Sequence, residues 1–169
     1  MYNEIIIKNA VWCGICKTEA VSTHRHHFAR CRCGNIAADG GDAYRRRVGA
    51  EGPWTDTSIL ADPEPTAHQL SAAIEILHPL KAGALPPADV LGAAPLLENW
   101  RLVVARREYP EGLYEMEGIV TGHPKYRDGY RLRTPPLLMK SADRAWALTL
   151  AGTYYRLGDP DPMGVHDAV

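Results

Sequence analysis

The sequence has few of the residues that build a disulfide framework or a large aromatic core. Among 169 residues there are four Cys and a single Phe, and most other aromatic residues are the eight Tyr, which carry a polar group. No apolar run approaches the ~18 residues of a membrane span. The apolar triplet between Glu4 and Lys8 is too short for a signal-peptide core. Because apolar residues make up 46%, we expect a folded protein. Since neither a membrane span nor a signal peptide is indicated, we also expect no membrane role and a location in the reducing cytoplasm.

The sequence also lacks a charge excess of one sign. The net charge of −1 gives no global field that would attract nucleic acid or a membrane surface. The charges are nevertheless uneven along the chain. Residues 1–50 carry eight Lys or Arg against four Asp or Glu, whereas residues 51–100 carry one against seven. A binding role for the N-terminal third would therefore use basic side chains.

All four cysteines lie close together near the N-terminus. Cys13 and Cys16 form a C-x2-C pair, and Cys31 and Cys33 form a C-x-C pair after 14 intervening residues. Two such turns at the ends of a hairpin supply four soft ligands, which predicts a structural Zn²⁺ site with no open position for substrate. Two alternatives stay open at this point: a histidine replaces one cysteine as ligand, or the cysteines are disulfide-bonded or free.

Three histidines lie between the cysteine pairs. On a strand, His24 and His26 would share a face and His27 would point the other way. They are read as surface residues, with a zinc ligand or a second, catalytic metal site as alternatives. No phosphate-binding glycine loop, nucleophile elbow or H-E-x-x-H motif is present. The sequence therefore leans against an enzyme, and leaves one built around the histidines open.

A turn signal follows the second cysteine pair. Asp39-Gly40-Gly41-Asp42 is expected to join strands at Asn35–Ala38 and Ala43–Val48. The second of these strands carries three consecutive arginines. Their predicted roles are a solvated face, a protein-binding surface or contacts to phosphates. The residues concerned are Arg45, Arg46 and Arg47.

The N-terminal segment resembles a small zinc-ribbon domain of unknown function found in bacteriophage proteins. The resemblance rests on the C-x2-C pair, the run STHRHHFARCRCG that follows it, and the DGG turn and arginines after that run. The resemblance covers residues 5–48. It implies a zinc ribbon stabilised by the four cysteines, and a viral context in which the chain works in the host cytoplasm.

The rest of the chain divides into a helical middle and a β-rich end. A helix is expected from an N-cap at Thr66 to about His78, before Pro79, and a short helix from Pro86 through Leu91. Turn residues separate six predicted strands. They are Arg101–Arg107, Leu113–Val120, Tyr130–Thr134, Pro136–Lys140, Arg144–Leu150 and Thr153–Leu157.

These elements predict an α+β, β-rich fold with four segments. Residues 1–50 form the zinc ribbon, residues 51–99 a linker and helical segment, residues 100–158 a small antiparallel β-barrel or meander, and residues 159–169 a loose tail.

The loop 121–135 combines tyrosines with basic residues, which are typical of protein interfaces and can also stack on bases. Its G-H-P, D-G and R-T-P layout is similar to short β-domains of uncharacterised phage proteins over residues 113–158. We therefore expect a non-enzymatic protein that docks on a host protein complex, such as an anti-CRISPR-like inhibitor of host defence. The alternative is a nucleic-acid-binding accessory protein, and the oligomeric state is not indicated. The loop residues expected to contact the partner are His123, Lys125, Tyr126, Arg127, Tyr130, Arg131 and Arg133.

Overall fold

The computed structural model describes residues 5–49 and 52–165, and forms two compact units, Met1–Ala61 and Asp62–Val169. The sequence instead suggested boundaries after residues 50, 99 and 158. No helix among the described residues has both the length and the apolar character needed to cross a bilayer.

The described residues of the first unit form seven strands. They are β1 (Ile5–Cys13), β2 (Thr18–Ser22), β3 (Ala29–Arg30), β4 (Ile36–Asp39), β5 (Arg46–Gly49), β6 (Trp54–Asp56) and β7 (Ile59–Ala61). β1 pairs antiparallel with β2 on one side, and with β6 and β7 in succession on the other. A second, three-stranded antiparallel sheet has the order β3-β4-β5. The predicted hairpin around the Asp39–Asp42 turn is confirmed as β4 and β5.

A register shift in β1 decides which of its side chains are buried. Ile6 is buried between the exposed Ile5 and Ile7, and the shift in pairing with β7 lies between Ile6 and Lys8. An extra residue changes the face to which later side chains point. After the shift, Asn9, Val11 and Cys13 are all buried. Because of the bulge, Ile6 at the start of β1 and Cys13 at its end are both buried, although they are an odd number of residues apart.

In the second unit, up to Val165, the chain forms two helices and six strands. They are α1 (Ala67–Lys81), α2 (Ala88–Ala93), β8 (Leu96–Val104), β9 (Tyr114–Thr121), β10 (Tyr130–Arg133), β11 (Leu137–Lys140), β12 (Trp146–Thr149) and β13 (Tyr154–Leu157). Thr66 caps α1 as predicted, in a reciprocal capping box with Gln69. The predicted end before Pro79 is wrong, since the helix continues to Lys81 although the proline has no N–H to donate to the carbonyl of Glu75.

The strand order in the second unit is β11-β12-β13-β8-β9-β10. The predicted β-rich α+β class is confirmed, but the predicted barrel is wrong. Within the described residues of this unit the end strands β11 and β10 do not pair with each other, so the sheet stays open. Nor is the sheet wholly antiparallel, since β13 runs parallel to β8.

The first strand of this sheet begins earlier than predicted, at Leu96 rather than Arg101. Asn99 has a positive φ of 49°, and the pairing with β9 shifts between Glu98 and Arg101. This irregularity hides the start of the strand from any alternation pattern. The described part of the predicted tail, up to Val165, hydrogen-bonds to β8 through Asp161 N–H to Trp100 O at 2.8 Å and Leu102 N–H to Val165 O at 2.8 Å.

Candidate metal centre

The first cysteine pair lies on the turn between β1 and β2. Cys13 is the last residue of β1, and the Lys17 N–H closes the turn on its carbonyl oxygen at 3.0 Å. Gly14 is needed here because a Cβ at this position would lie 2.5 Å from the Pro53 carbonyl oxygen, to which the Gly14 N–H donates. The turn therefore brings Cys16 back beside Cys13.

The second pair lies on the tighter turn between β3 and β4. The Gly34 N–H donates to the Cys31 carbonyl at 2.9 Å, with Gly34 at a φ of +74° that favours glycine. The Ile36 N–H lies 3.5 Å from the Cys31 sulfur. A backbone N–H aimed at a sulfur stabilises the thiolate form that a metal ion requires.

The two turns bring the four sulfur atoms together. All four Sγ atoms lie within 4.8 Å of one another, with Cys33 Sγ at 3.7 Å from Cys13 Sγ and 3.6 Å from Cys31 Sγ. None of the cysteines is disulfide-bonded. A tetrahedral ion with metal–sulfur bonds of about 2.3 Å would hold its sulfurs about 3.8 Å apart. The observed separations therefore fit a four-thiolate metal site.

A polar chain connects the two turns. Thr18 Oγ1 lies 2.9 Å from Cys16 Sγ and accepts a hydrogen bond from the Arg32 N–H at 3.2 Å. The Arg32 guanidinium donates to the Cys16 carbonyl at 3.2 Å. These hydrogen bonds join the two cysteine turns and fix the distance between them. Residues other than the cysteines therefore also hold the four sulfur atoms in place.

The thiol pKa values differ strongly within the cluster. The hydrogen bond from Thr18, with smaller contributions from Cys33 and Cys13, lowers the pKa of Cys16 to about 6. Burial opposes the ionisation of Cys31, yet the Ile36 N–H and neighbouring sulfurs keep its pKa below the ordinary value. The N–H of Asn35 lowers the pKa of Cys33, but burial and the adjacent sulfurs outweigh it and raise the pKa to about 11. Neighbouring thiolates thus compete for ionisation, and a bound cation would remove that competition.

The three histidines do not join the sulfur cluster. Among the described residues, the four cysteines are the only group of three or more His, Cys, Asp or Glu side chains arranged to hold a metal ion. The histidines do not lie on a strand, because residues 23–28 connect β2 and β3, with a turn at Arg25 and His26. His24 and His27 stack at 4.8 Å, and His27 Nδ1 accepts from the Thr23 N–H at 3.0 Å. Short side chain-to-backbone bonds thus favour a turn here over a strand.

The arginine run splits into two kinds of side chain. Arg47 is 12% exposed and donates to Asp56 at 3.0 Å and Ser58 at 2.6 Å, and Arg45 also pairs with Asp56, at 3.3 Å. Arg46 is 67% exposed, with its Nη1 3.9 Å from the carboxylate of Asp39. Of the three predicted partner contacts, only Arg46 therefore presents its guanidinium mainly to solvent.

Buried Asn9 organises the turn before this run. Its Nδ2 lies 2.9–3.0 Å from the carbonyl oxygens of Asp39, Gly41 and Tyr44, and its Oδ1 accepts from Arg47 at 2.7 Å. Asn9 was not among the predicted site residues, although an amide side chain between the apolar start and the apolar end of β1 was a signal for it.

The predicted partner loop of the second unit is also divided. The Tyr126 side chain is buried, and His123 lies under it with Nε2 3.8 Å from Asp62. Burial lowers the pKa of His123, against the attraction of Asp62. Lys125 and Arg127 are exposed, and Tyr130 is partly buried. Arg131 and Arg133 lie on β10, not on a loop, and contact Glu117.

Comparison with known proteins gives one match. Residues 5–49 match the model of a family described as a domain of unknown function, DUF7695. No curated protein and no solved structure matches the chain. The matched segment contains all four cysteines and the arginine run, and agrees in extent with the resemblance seen in the sequence. The four-cysteine centre of the first unit is therefore similar in sequence to a family whose description names no activity.

Proposed function

We propose that the N-terminal unit is a zinc-ribbon module in which Cys13, Cys16, Cys31 and Cys33 hold one structural Zn²⁺ ion. The observation that carries the proposal is the convergence of four unbridged sulfurs within 4.8 Å. Four thiolates complete a tetrahedron and leave no position for water or substrate, so the ion would build structure and not catalyse. The donors described above would hold three of these thiolates: Thr18 that of Cys16, the Ile36 N–H that of Cys31, and the Asn35 N–H that of Cys33.

Metal content tests the zinc centre directly. We expect one zinc per chain by elemental analysis of the purified protein, and loss of that zinc in Cys31→Ser. Because Arg25 is exposed and lies in the same unit outside the centre, Arg25→Ser serves as a control that should retain the metal. One iron per chain would keep the site and change its ion. An absence of stoichiometric metal would remove the proposal.

The role that we propose for the chain is that of a protein-binding module. Large apolar side chains are exposed next to the metal centre: Trp12 precedes Cys13, Ile15 lies between the first two cysteines, and Trp54 is paired with Cys13 across the strands. Exposed aromatic and aliphatic residues of this kind are typical anchors at protein interfaces. The basic side chains that would favour nucleic acid are fewer, because Arg45 and Arg47 are engaged with Asp56.

Affinity capture with matched variants tests this role. Ile15→Ser should lose a bound protein that the wild type retains, whereas Leu85→Ser, at an exposed apolar residue of the second unit, should keep it. Loss in both variants, or in neither, would contradict the assigned surface. Retention of DNA or RNA at low salt, lost steeply as salt rises, would favour the nucleic-acid alternative. Docking on a host complex, and an anti-CRISPR-like action there, stay predictions from the sequence.

A further inference from the structure

Three arginines surround one buried glutamate in the second unit. Glu117 of β9 is fully buried, and its carboxylate oxygens lie 2.8 Å from Arg101 Nη2, 3.0 Å from Arg133 Nη2 and 3.5 Å from Arg131 Nη1. We call these four residues the Glu117 cluster.

Strand register produces this cluster. Glu117 is paired with Arg101 on β8 and with Arg133 on β10, so the two guanidinium groups approach it from the two neighbouring strands. Arg131 lies two residues before Arg133 and thus shares its face of the sheet. The other face near this position is apolar, since Met116 and Leu132 are fully buried. The cluster therefore belongs to the fold and not to a mobile loop.

The cluster carries more positive than negative charge. One carboxylate faces three guanidinium groups, and a second carboxylate, Asp161, is 3.9 Å from Arg101. With Asp161 counted, one positive charge still has no counterpart. Glu115, two residues from Glu117 on the same strand, is also attracted by Arg133, but it forms its ion pair with Arg106 at 2.8 Å. Counting this pair adds one charge of each sign and leaves the excess unchanged.

The arginines also have hydrogen-bond donors to spare. Each guanidinium carries five N–H groups, and the Nε–H groups of Arg101 and Arg133 are buried without an acceptor among the described residues. Buried donors without partners cost free energy, and like charges held together cost more. All three arginine side chains keep some exposure, from 20% to 41%, so a ligand could reach them.

We propose that the Glu117 cluster binds a phosphate-type oxyanion. Such an anion supplies the missing negative charge and several acceptor oxygens, and arginine pairs with phosphate through two parallel hydrogen bonds. Glu117 would act as the positioning residue that holds the three guanidinium groups together. This site lies in the second unit and is independent of the metal centre and of the protein-binding surface proposed above.

Calorimetric titration of inorganic phosphate into the full-length, metal-loaded protein tests the site, with NaCl at matched ionic strength as the blank. We expect saturable binding that Arg131→Gln weakens by roughly tenfold or more, which corresponds to the loss of one charge-assisted contact of about 1.5 kcal/mol. Arg131 is chosen because its contact to Glu117 is the longest of the three. Arg107→Gln removes the same charge from an exposed position of this unit and is the matched control.

Two further arms make each outcome decisive. Glu117→Gln should retain phosphate binding while lowering the melting temperature, because the amide oxygen still accepts from the guanidinium groups whereas the negative charge that offsets them is lost. A short oligothymidylate without a terminal phosphate distinguishes a phosphodiester from a free phosphate as the source of the oxyanion. Binding of either probe that depends on Arg131 and not on Arg107 supports the proposal. No binding of either, or equal loss in the two arginine variants, overturns it.

Discussion

The interior of the first unit differs from that of the second in the size of its buried side chains. In the first, the buried cluster that surrounds the metal centre consists of small and medium side chains: Val11, Cys13, Ala20, Cys31, Ile36 and Ala38. No aromatic side chain is buried among its described residues. In the second unit Trp100, Met116, Leu132 and Tyr155 are all fully buried. Since small side chains bury little apolar area, the first unit needs another source of stability.

That source, in our account, is the metal ion together with a polar network. Asn9 and Arg47 between them bond five backbone carbonyls and the side chains of Asp56 and Ser58. Such networks specify one arrangement when every member is satisfied, and are costly when one member is removed. The comparison therefore predicts that the two units respond differently to the same kinds of perturbation.

Metal removal should give the largest difference. A chelator, or Cys31→Ser, should abolish the folding transition of the first unit, because metal binding in small zinc domains contributes apparent free energies on the order of 10 kcal/mol. The second unit should keep its own transition. Calorimetry and hydrogen exchange, compared between residues 5–49 and 96–157, would measure this, and re-addition of Zn²⁺ serves as the control. Simultaneous loss of both units would break the comparison.

Removal of the Arg47 side chain should give the second-largest loss of stability. Arg47→Ala leaves Asp56 without its closest partner and removes donors from the carbonyl oxygen of Ala10, so we expect a loss of about 3 kcal/mol or more in the first unit. Arg46→Ala, one residue earlier and mostly exposed, should change the free energy of unfolding by less than about 0.5 kcal/mol. Urea unfolding of both variants gives the comparison. Equal effects would show that the network is not what stabilises this unit.

The apolar core of the second unit provides the reciprocal test. Leu132→Ala deletes a fully buried side chain and should cost about 3 kcal/mol, within the usual range for such a truncation. It should leave the metal content at the wild-type value, since the cysteines lie in the other unit. Denaturant unfolding and elemental analysis on the same preparation would check both parts. Metal loss in this variant would contradict the independence of the two supports.

The sequence predicted well what depends on local chemistry. The cysteine spacing indicated the cluster, the capping residues indicated α1, and the turn residues placed β9 to β13 within one or two residues of their observed bounds. These features need only neighbours along the chain. The start of β8 escaped because a bulge at Asn99 breaks its alternation.

What the sequence did not predict depends on strands that are distant along the chain. The barrel was expected from strand spacing alone, but closure depends on which end strands meet, and the parallel pairing of β13 with β8 leaves the sheet open. Nothing in the sequence distinguished the arginines of the run 45–47 from those of the loop 121–135. Their roles diverge because the pairing of β9 with β10 places Glu117 beside Arg133, and because Asp56, on a strand of the other sheet, lies beside Arg47.

The smallest expected effect concerns acid pH and separates two glutamates of β9. Burial raises the pKa of Glu115 above its ordinary value; for Glu117 burial is outweighed by Arg133 and Arg101, so its pKa is lowered. Glu117 therefore stabilises the fold above the unfolded pKa of about 4.3, and this contribution is lost as the pH falls towards its lower folded value. Glu115 affects the pH dependence in the opposite direction, since the folded state holds its proton more tightly than the unfolded state does.

We therefore expect two opposite changes when the free energy of unfolding is followed towards acid pH in a chloride buffer. Glu117→Gln should make the loss of stability shallower, and Glu115→Gln should make it steeper. Parallel changes in the two variants, measured by urea unfolding from pH 6 to about 3, would show that the arginines do not distinguish these two carboxylates.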